Sequence, residues 1–312
     1  MNPQSLISHP PSLLVLVGPT AVGKTALSLR LATALNGEII SADSRQVYRG
    51  MDIGAAKATP EERARVPHHL LDVVDPDETL TLAQFQRLAY AAIDAVLARR
   101  RLPLLVGGSG QYVRAVVEGW GIPTVPPQDR LRAALDTLDT DELARWLAAL
   151  DPLAAGRIDR RNRRRVIRAL EVTLITGRPI SLLQRKSPPP YRILQVGLTL
   201  PRPLLYERID ARVDRMMAEG LLEETRRLAE RYAWTTPAMS GLGYAQLGAF
   251  LRGEATLDAA LHAIKKETRR FVRQQANWFS SADPTIHWFD ATDLAQAATE
   301  ALQLVRAWLR WM

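Results

Sequence analysis

The 312-residue chain contains no cysteine. That excludes disulfide scaffolds, thiolate-bound zinc and cysteine nucleophiles together. No apolar run approaches the ~18 residues a membrane span needs, so no membrane segment is expected. The opening MNPQSLISHPP lacks a basic stretch followed by an apolar one, so no secretory signal is expected and a cytoplasmic location is. Lysine is scarce: 5 of the 41 basic residues are Lys and 36 are Arg, against 33 acidic residues. A GC-rich genome favours Arg, but Arg also suits bidentate contact with phosphate and stacking on bases. A net charge of +8 points to an anionic partner. With 47% apolar and 24% charged residues the chain is globular. Its length fits two domains, or one large α/β domain with an insertion.

Short branched apolar runs alternate with helical patterns. Strands are expected at Leu13–Val17, Glu38–Ser41, Leu102–Val106, Ile193–Leu200 and Ile286–Phe289, with a weaker one at Leu70–Val74. Helices are expected over Lys24–Leu35, Thr81–Arg100, Pro203–Arg231 and Leu257–Phe279. That alternation predicts an α/β fold, a parallel sheet of phosphate-loop type with helices on both faces. The rhythm breaks between Pro123, Pro126 and Pro127 on one side and Pro188–Pro190 on the other. Between them Leu131, Leu135, Leu138, Leu143, Trp146, Leu147 and Leu150 follow a helical pattern. The expected organisation is therefore a core over 1–122, a helical insertion over 123–190, and the rest of the core with C-terminal helices over 191–312. Trp308 and Trp311 near the end are expected to pack on the core.

Gly18-Pro19-Thr20-Ala21-Val22-Gly23-Lys24-Thr25 satisfies the G-x-x-x-x-G-K-[ST] phosphate-loop pattern, between a strand and a helix. Its backbone amides and helix N-terminus suit the phosphates of a nucleotide or another polyphosphate. Lys24 adds a point charge, and Thr25 is the candidate Mg²⁺ ligand. Asp43 follows the second strand, where ligand groups collect in such sheets. It can act as a general base, approach Mg²⁺ through water, or cap a helix. Arg45 and Gln46 would face the same crevice. Gly107-Gly108-Ser109-Gly110 ends another strand and can offer donors to an oxyanion, or serve as a plain turn. His68-His69 has no third ligand nearby and is read as structural.

Seven Arg fall within Arg157–Arg168. On a helix, Arg161, Arg164, Arg165 and Arg168 would share a face suited to phosphates or simply to water. Lys265, Lys266, Arg269, Arg270 and Arg273 precede Gln274-Gln275-Ala276-Asn277-Trp278-Phe279. Basic residues interleaved with amides and aromatics suit single-stranded RNA, and the same aromatics can pack in a core.

Taken together, GPTAVGKT, EIISADSRQVYRGMDIGAAK, PHHLLDV, LLVGGSGQYV, RVIRALEV, GLGYAQ and ETRRFVRQQANWF resemble the tRNA dimethylallyltransferases, over residues 18 to about 279. The stretch Asp43–Lys57 is the most specific. Two positions depart from that pattern: Ser109 stands where Thr is usual, and Ser280 where Arg often follows the late Trp-Phe. The resemblance implies a dimethylallyl diphosphate substrate held by residues 18–25 with Mg²⁺, and the anticodon arm of tRNA as acceptor. It implies Asp43 as base toward the N6 amine of the adenosine at position 37, next to the anticodon, with Ser109 and Arg132 assisting. It implies RNA contacts from Asp43–Gln46, from Arg164, Arg165, Val166, Ile167 and Arg168, from Ser240, Gly241, Gly243 and Tyr244, and from Arg273, Gln274 and Trp278. A monomer is expected. Prenylation of a free adenine nucleotide, a phosphate-loop kinase or ATPase acting on RNA, and a non-catalytic RNA binder remain as alternatives.

Overall fold

A computed structural model describes residues 10–310. The start of the N-terminal leader and Trp311 lie outside them. The chain forms two compact units, one from the residues up to Val113 with those from Pro190 onward, the other Arg114–Pro189. The sequence placed the insertion at 123–190. The second unit begins earlier, within the helix that follows Gly110.

In the sheet unit, β1 (Ser12–Val17) is buried along its whole length, as expected of a central strand covered on both faces. It leads into α1 (Lys24–Leu35), then β2 (Gly37–Ser41), α2 (Pro60–Arg65) and β3 (His68–His69). The third strand is these two histidines, paired with Ile39 and Ile40, rather than Leu70–Val74. Leu70 and Asp72 take left-handed backbone (φ 63° and 56°), which ends strand geometry. Only Val74 makes an isolated bridge, to Tyr48. The histidines are structural here. His68 Nδ1 meets the Val66 carbonyl, and His69 Nε2 meets the buried Glu38 carboxylate at 2.6 Å. Arg99 donates to Glu38 and, against the cost of burial, holds it down to about 2, with His69 adding to the effect.

A Thr81–Gln84 capping box opens α3 (Leu82–Ala98). It packs Phe85, Ala89, Ile93 and Val96 inward beneath β2 and β4 (Leu102–Val106). α4 (Gly110–Val117) then runs across the boundary between the units.

The helical unit holds α5 (Asp129–Asp136), α6 (Thr140–Leu150), α7 (Pro152–Ala155), α8 (Arg163–Thr176) and α9 (Ile180–Leu183). Leu135, Leu143, Leu147, Val166, Ile167 and Leu170 are among its core residues. Trp146 and Leu150, which belong to the expected helical pattern, are exposed. A fully buried carboxylate, Glu171, sits among these helices. It accepts hydrogen bonds from Arg132 (2.8 and 2.9 Å), Arg168 (2.6 Å) and the Gln128 N–H (2.7 Å). Burial would raise Glu171, but these donors outweigh it and bring the group down to about 2.

The sheet unit resumes with β5 (Arg192–Thr199), α10 (Arg202–Ala218) and α11 (Leu221–Ala229). The single helix expected over Pro203–Arg231 is broken at Gly220, whose φ of 101° ends α10. Next come α12 (Tyr244–Leu251), α13 (Leu257–Gln275), β6 (Ile286–Asp290) and α14 (Leu294–Arg310). α13 stops at Gln275, short of the expected Phe279. The six strands are all parallel in the order β3-β2-β4-β1-β5-β6. One core lies between the sheet and α1 with α14, including Leu14, Leu16, Leu31, Leu104, Leu198 and Val305. The buried residues of α3 fall outside that core, which puts helices on both faces. Trp308 packs at the edge of this core under the Arg192 guanidinium. Because the strands are parallel, the loops after β1, β2 and β4 gather at one edge of the sheet.

Candidate active site

The loop from Gly18 to Lys24 turns sharply out of β1. Gly18 (φ 147°) lies so close to β5 that a Cβ would stand 2.7 Å from the Leu198 carbonyl. No side chain caps α1, so the amides of its first turn remain open to an anion. The Lys24 ammonium is folded back on the Gly18 and Pro19 carbonyls at 2.9 and 2.8 Å. Burial pushes it down to about 8, opposed by Asp43 and assisted by Arg212. Thr25 is exposed at the mouth of the helix.

Asp43 stands two residues beyond β2. One carboxylate oxygen accepts the Arg45 N–H at 2.8 Å. The other has no hydrogen-bond partner among the described residues, so the group remains free to take a proton. Ser109 arrives from the loop after β4, and its Oγ accepts the Ser44 N–H at 3.0 Å. Thr20, Asp43, Ser44, Arg45 and Ser109 line one cleft of about 250 Å³. Gln46 is committed elsewhere: its Oε1 accepts from Ser41 and its Nε2 donates to the Ala55 and Ala56 carbonyls. It thus shapes the loop rather than offering its amide to a base.

Arg212 lines the same cleft from α10. It was not singled out in the sequence, although a signal exists there. Leu205, Ile209, Val213 and Met216 form the buried stripe of α10, and Arg212 stands at its border beside Val213, half-buried. A half-buried cation favours an anion nearby. Here burial pushes the guanidinium down while Asp43 opposes that shift. No direct hydrogen bond joins Arg212 to Asp43, so the guanidinium keeps its donors for a ligand.

The far wall is set by another buried carboxylate. Glu224 of α11 accepts the N–H groups of Asp52 (2.9 Å), Ile53 (2.8 Å) and Gly54 (3.0 Å), and the Tyr244 hydroxyl (2.7 Å). Burial and that carboxylate together push the Tyr244 phenol up. Gly54 meets the Tyr244 ring so closely that a Cβ would lie 2.5 Å from it. Ser240, Gly241, Gly243 and Tyr244 complete this side of the cleft, and Arg45 reaches the Pro237 carbonyl beside them at 3.0 Å.

At the end of α13, Arg273 donates to the Tyr206 hydroxyl, Gln274 is exposed, and Trp278 packs on the backbone of Gly110. Among the described residues no cluster of three His, Asp or Glu side chains could hold a metal by itself. No helix there is long and apolar enough to cross a membrane.

Residues 46–282 match the family described as IPP transferase. The chain belongs to the IPP transferase family. It is 54% identical over 303 residues to a tRNA dimethylallyltransferase of Roseiflexus sp. (strain RS-1), covering 95% of this chain and 98% of that protein. A tRNA dimethylallyltransferase of Thermomicrobium roseum is 50% identical over 285 residues, or 90% of this chain and 86% of that one. Among solved structures, a tRNA isopentenylpyrophosphate transferase from Bacillus halodurans is 40% identical, with a TM-score of 0.72 over 95% of this chain and 96% of that one. A eukaryotic dimethylallyltransferase acting on tRNA is 28% identical, with a TM-score of 0.84 over 95% of this chain and 77% of that one.

In this IPP transferase family member the helical unit separates the arginines by role. Arg161 precedes α8, so it does not share a helical face with the others. Arg168 turns inward to Glu171 and to the Val125 carbonyl. Val166 and Ile167, which were expected to contact RNA, have their side chains in the core of the unit. Arg132, expected to assist at the diphosphate and tRNA, has its guanidinium on Glu171. Arg164 and Arg165 are exposed, and their guanidinium groups have no partner among the described residues.

Proposed function

We propose that the chain transfers a dimethylallyl group from dimethylallyl diphosphate to the N6 amine of the adenosine at position 37 of tRNA, next to the anticodon, releasing diphosphate. The observation that carries this reading is that Thr20 of the phosphate loop, Asp43 and Arg212 line one cleft, with one Asp43 carboxylate oxygen and the Arg212 guanidinium free of hydrogen-bond partners among the described residues.

The open amides of α1, Lys24 and Arg212 bind and neutralise the diphosphate. Lys24 leaves the loop carbonyls to do so, exchanging two neutral acceptors for a charged one. The donor chemistry fits Mg²⁺ bound through Thr25 Oγ, since this ion prefers oxygen ligands and commonly rests on substrate phosphates. When bound, it would stabilise negative charge on the departing diphosphate. The bond from the allylic carbon to the diphosphate oxygen breaks and its electron pair leaves with the diphosphate. The N6 lone pair forms the new carbon–nitrogen bond, and Asp43 takes the proton that N6 loses. To reach Asp43 the adenine must leave its stack. The wall held by Glu224 and Tyr244 is suited to receive it, and Arg164 and Arg165 are suited to RNA phosphates.

The test supplies labelled dimethylallyl diphosphate with tRNA, AMP or ATP as acceptor. Label on tRNA supports the proposal. Label on AMP but not tRNA would assign the chain to nucleotide prenylation, and ATP hydrolysis without label transfer would assign it to a kinase or ATPase reaction.

A further inference from the structure

Gln275, the last residue of α13, is a buried amide bonded at both ends. Its Oε1 accepts the Thr20 N–H of the phosphate loop at 2.9 Å, and its Nε2 donates to the Gly108 carbonyl at 2.9 Å. Gly108 comes so near that a Cβ there would stand 2.4 Å from Nε2. One turn further on, Trp278 presses on Gly110, where a Cβ would fall 2.3 Å from the Trp278 side chain. Between those two grips lies Ser109, which holds the Ser44 N–H beside Asp43. The end of α13 therefore holds the loop after β4 on both sides of Ser109, and holds the phosphate loop through the same amide.

A primary amide is planar, with its acceptor and donors at fixed angles. Gln275 keeps both bonds only while Thr20, Gly108 and the end of α13 hold one relative arrangement. Any shift breaks a bond and leaves a buried polar group unpaired, which is costly. We propose that Gln275 is a positioning residue that couples the RNA-contacting end of α13 to the diphosphate loop. This rests on the proposed function, in which Arg273, Gln274 and Trp278 meet RNA and residues 18–25 meet diphosphate. RNA seated on that end fixes Gln275, and Gln275 fixes Thr20 and the Ser109 turn in the form that binds diphosphate. Coupling of this kind is reciprocal: each ligand must tighten the other by the same factor.

The experiment titrates the full chain with inorganic pyrophosphate and Mg²⁺, with and without a saturating anticodon stem-loop RNA, and then the RNA with and without pyrophosphate. In the wild type each ligand should tighten the other by the same factor, about five-fold or more. In Gln275→Met each ligand should still bind alone while that factor falls to near one. Gln275→Glu retains an acceptor for Thr20 and loses the donor to Gly108, with little change in size. It provides a second reading if the Met variant does not fold, and it too should lose the coupling. With the other substrate saturating, each KM should rise by about that lost factor while kcat changes less. Coupling that survives in a folded variant, or that is absent from the wild type, overturns the proposal. A wild-type chain that binds pyrophosphate but no RNA instead overturns the function on which it rests.

Discussion

Ser109 Oγ accepts the backbone N–H of Ser44 at 3.0 Å, which ties the turn after β4 to the residue directly following Asp43. A hydroxyl suffices for that bond. Ser109→Thr should therefore leave turnover nearly unchanged, whereas Ser109→Ala should lower kcat about ten-fold, the worth of one hydrogen bond. Steady-state rates of label transfer to tRNA check both. Equal losses in Thr and Ala variants would mean that the tie does not position Asp43.

Asp43 should show the larger effect. Asp43→Ala removes the proton acceptor and should lower the transfer rate about 10²- to 10⁴-fold, the usual worth of a general base. RNA affinity should change only a few-fold, because the loop at 44–46 is also held by Ser109, Ser41 and the Ala55 and Ala56 carbonyls. Single-turnover rates with saturating substrates, set beside RNA binding, separate the two effects. Wild-type turnover in this variant would remove Asp43 from the chemistry.

Arg212 should act on the diphosphate rather than on RNA. It lines the cleft with Thr20 and Asp43 and has no hydrogen bond to Asp43. Arg212→Ala should weaken pyrophosphate binding about ten- to hundred-fold, the range for hydrogen bonds to a charged group. RNA affinity should remain close to that of wild type. Calorimetric titration with pyrophosphate and Mg²⁺ makes the measurement. Unchanged affinity would leave the Arg212 guanidinium without a ligand.

The parts of this site legible in the sequence are those fixed by local patterns. The phosphate loop and the start of α1 follow from Gly18, Gly23 and the branched run of β1. Asp43 follows from its place beyond a strand. What was not legible depends on contacts distant in the chain. Arg212 reads as an ordinary helix-surface arginine beside the buried Val213 until β2 is seen to bring Asp43 into the same cleft. Glu224 reads as a surface residue of an amphipathic helix, yet it is buried by the amides of residues 52–54 and by Tyr244. His68-His69 forms a strand because Ile39 and Ile40 supply its hydrogen bonds, while the more apolar Leu70–Val74 bends away.

The exposed arginines of α8 should be felt in salt dependence. Arg164 and Arg165 have no partner among the described residues and remain available to phosphates, whereas Arg168 is held by Glu171. Replacing Arg164 and Arg165 by Ala should weaken tRNA binding and reduce the slope of log K against log salt by about one per lost phosphate contact. Replacing Arg168 should mainly destabilise the helical unit. An unchanged slope in the double variant would exclude α8 from the RNA interface.

Arg132 is assigned a different task by its partner than by its resemblance, and pH separates the two. Glu171 sits well below its ordinary value of 4.5, at about 2. A depressed carboxylate stabilises the fold fully above its unfolded value, and that contribution is lost as pH falls through the folded one. The window is therefore from about pH 4.5 down to about 2. Glu38, also held near 2, titrates over the same range, so the comparison must be with Glu171→Gln, which leaves Glu38 in place. The wild type should lose more of its denaturation midpoint between neutral and acid pH than this variant does. Arg132→Ala should likewise lower the midpoint at neutral pH. If Glu171 is its only employment, transfer measured well below the melting range keeps its kcat. An unchanged midpoint with a fallen kcat would instead place Arg132 in the reaction.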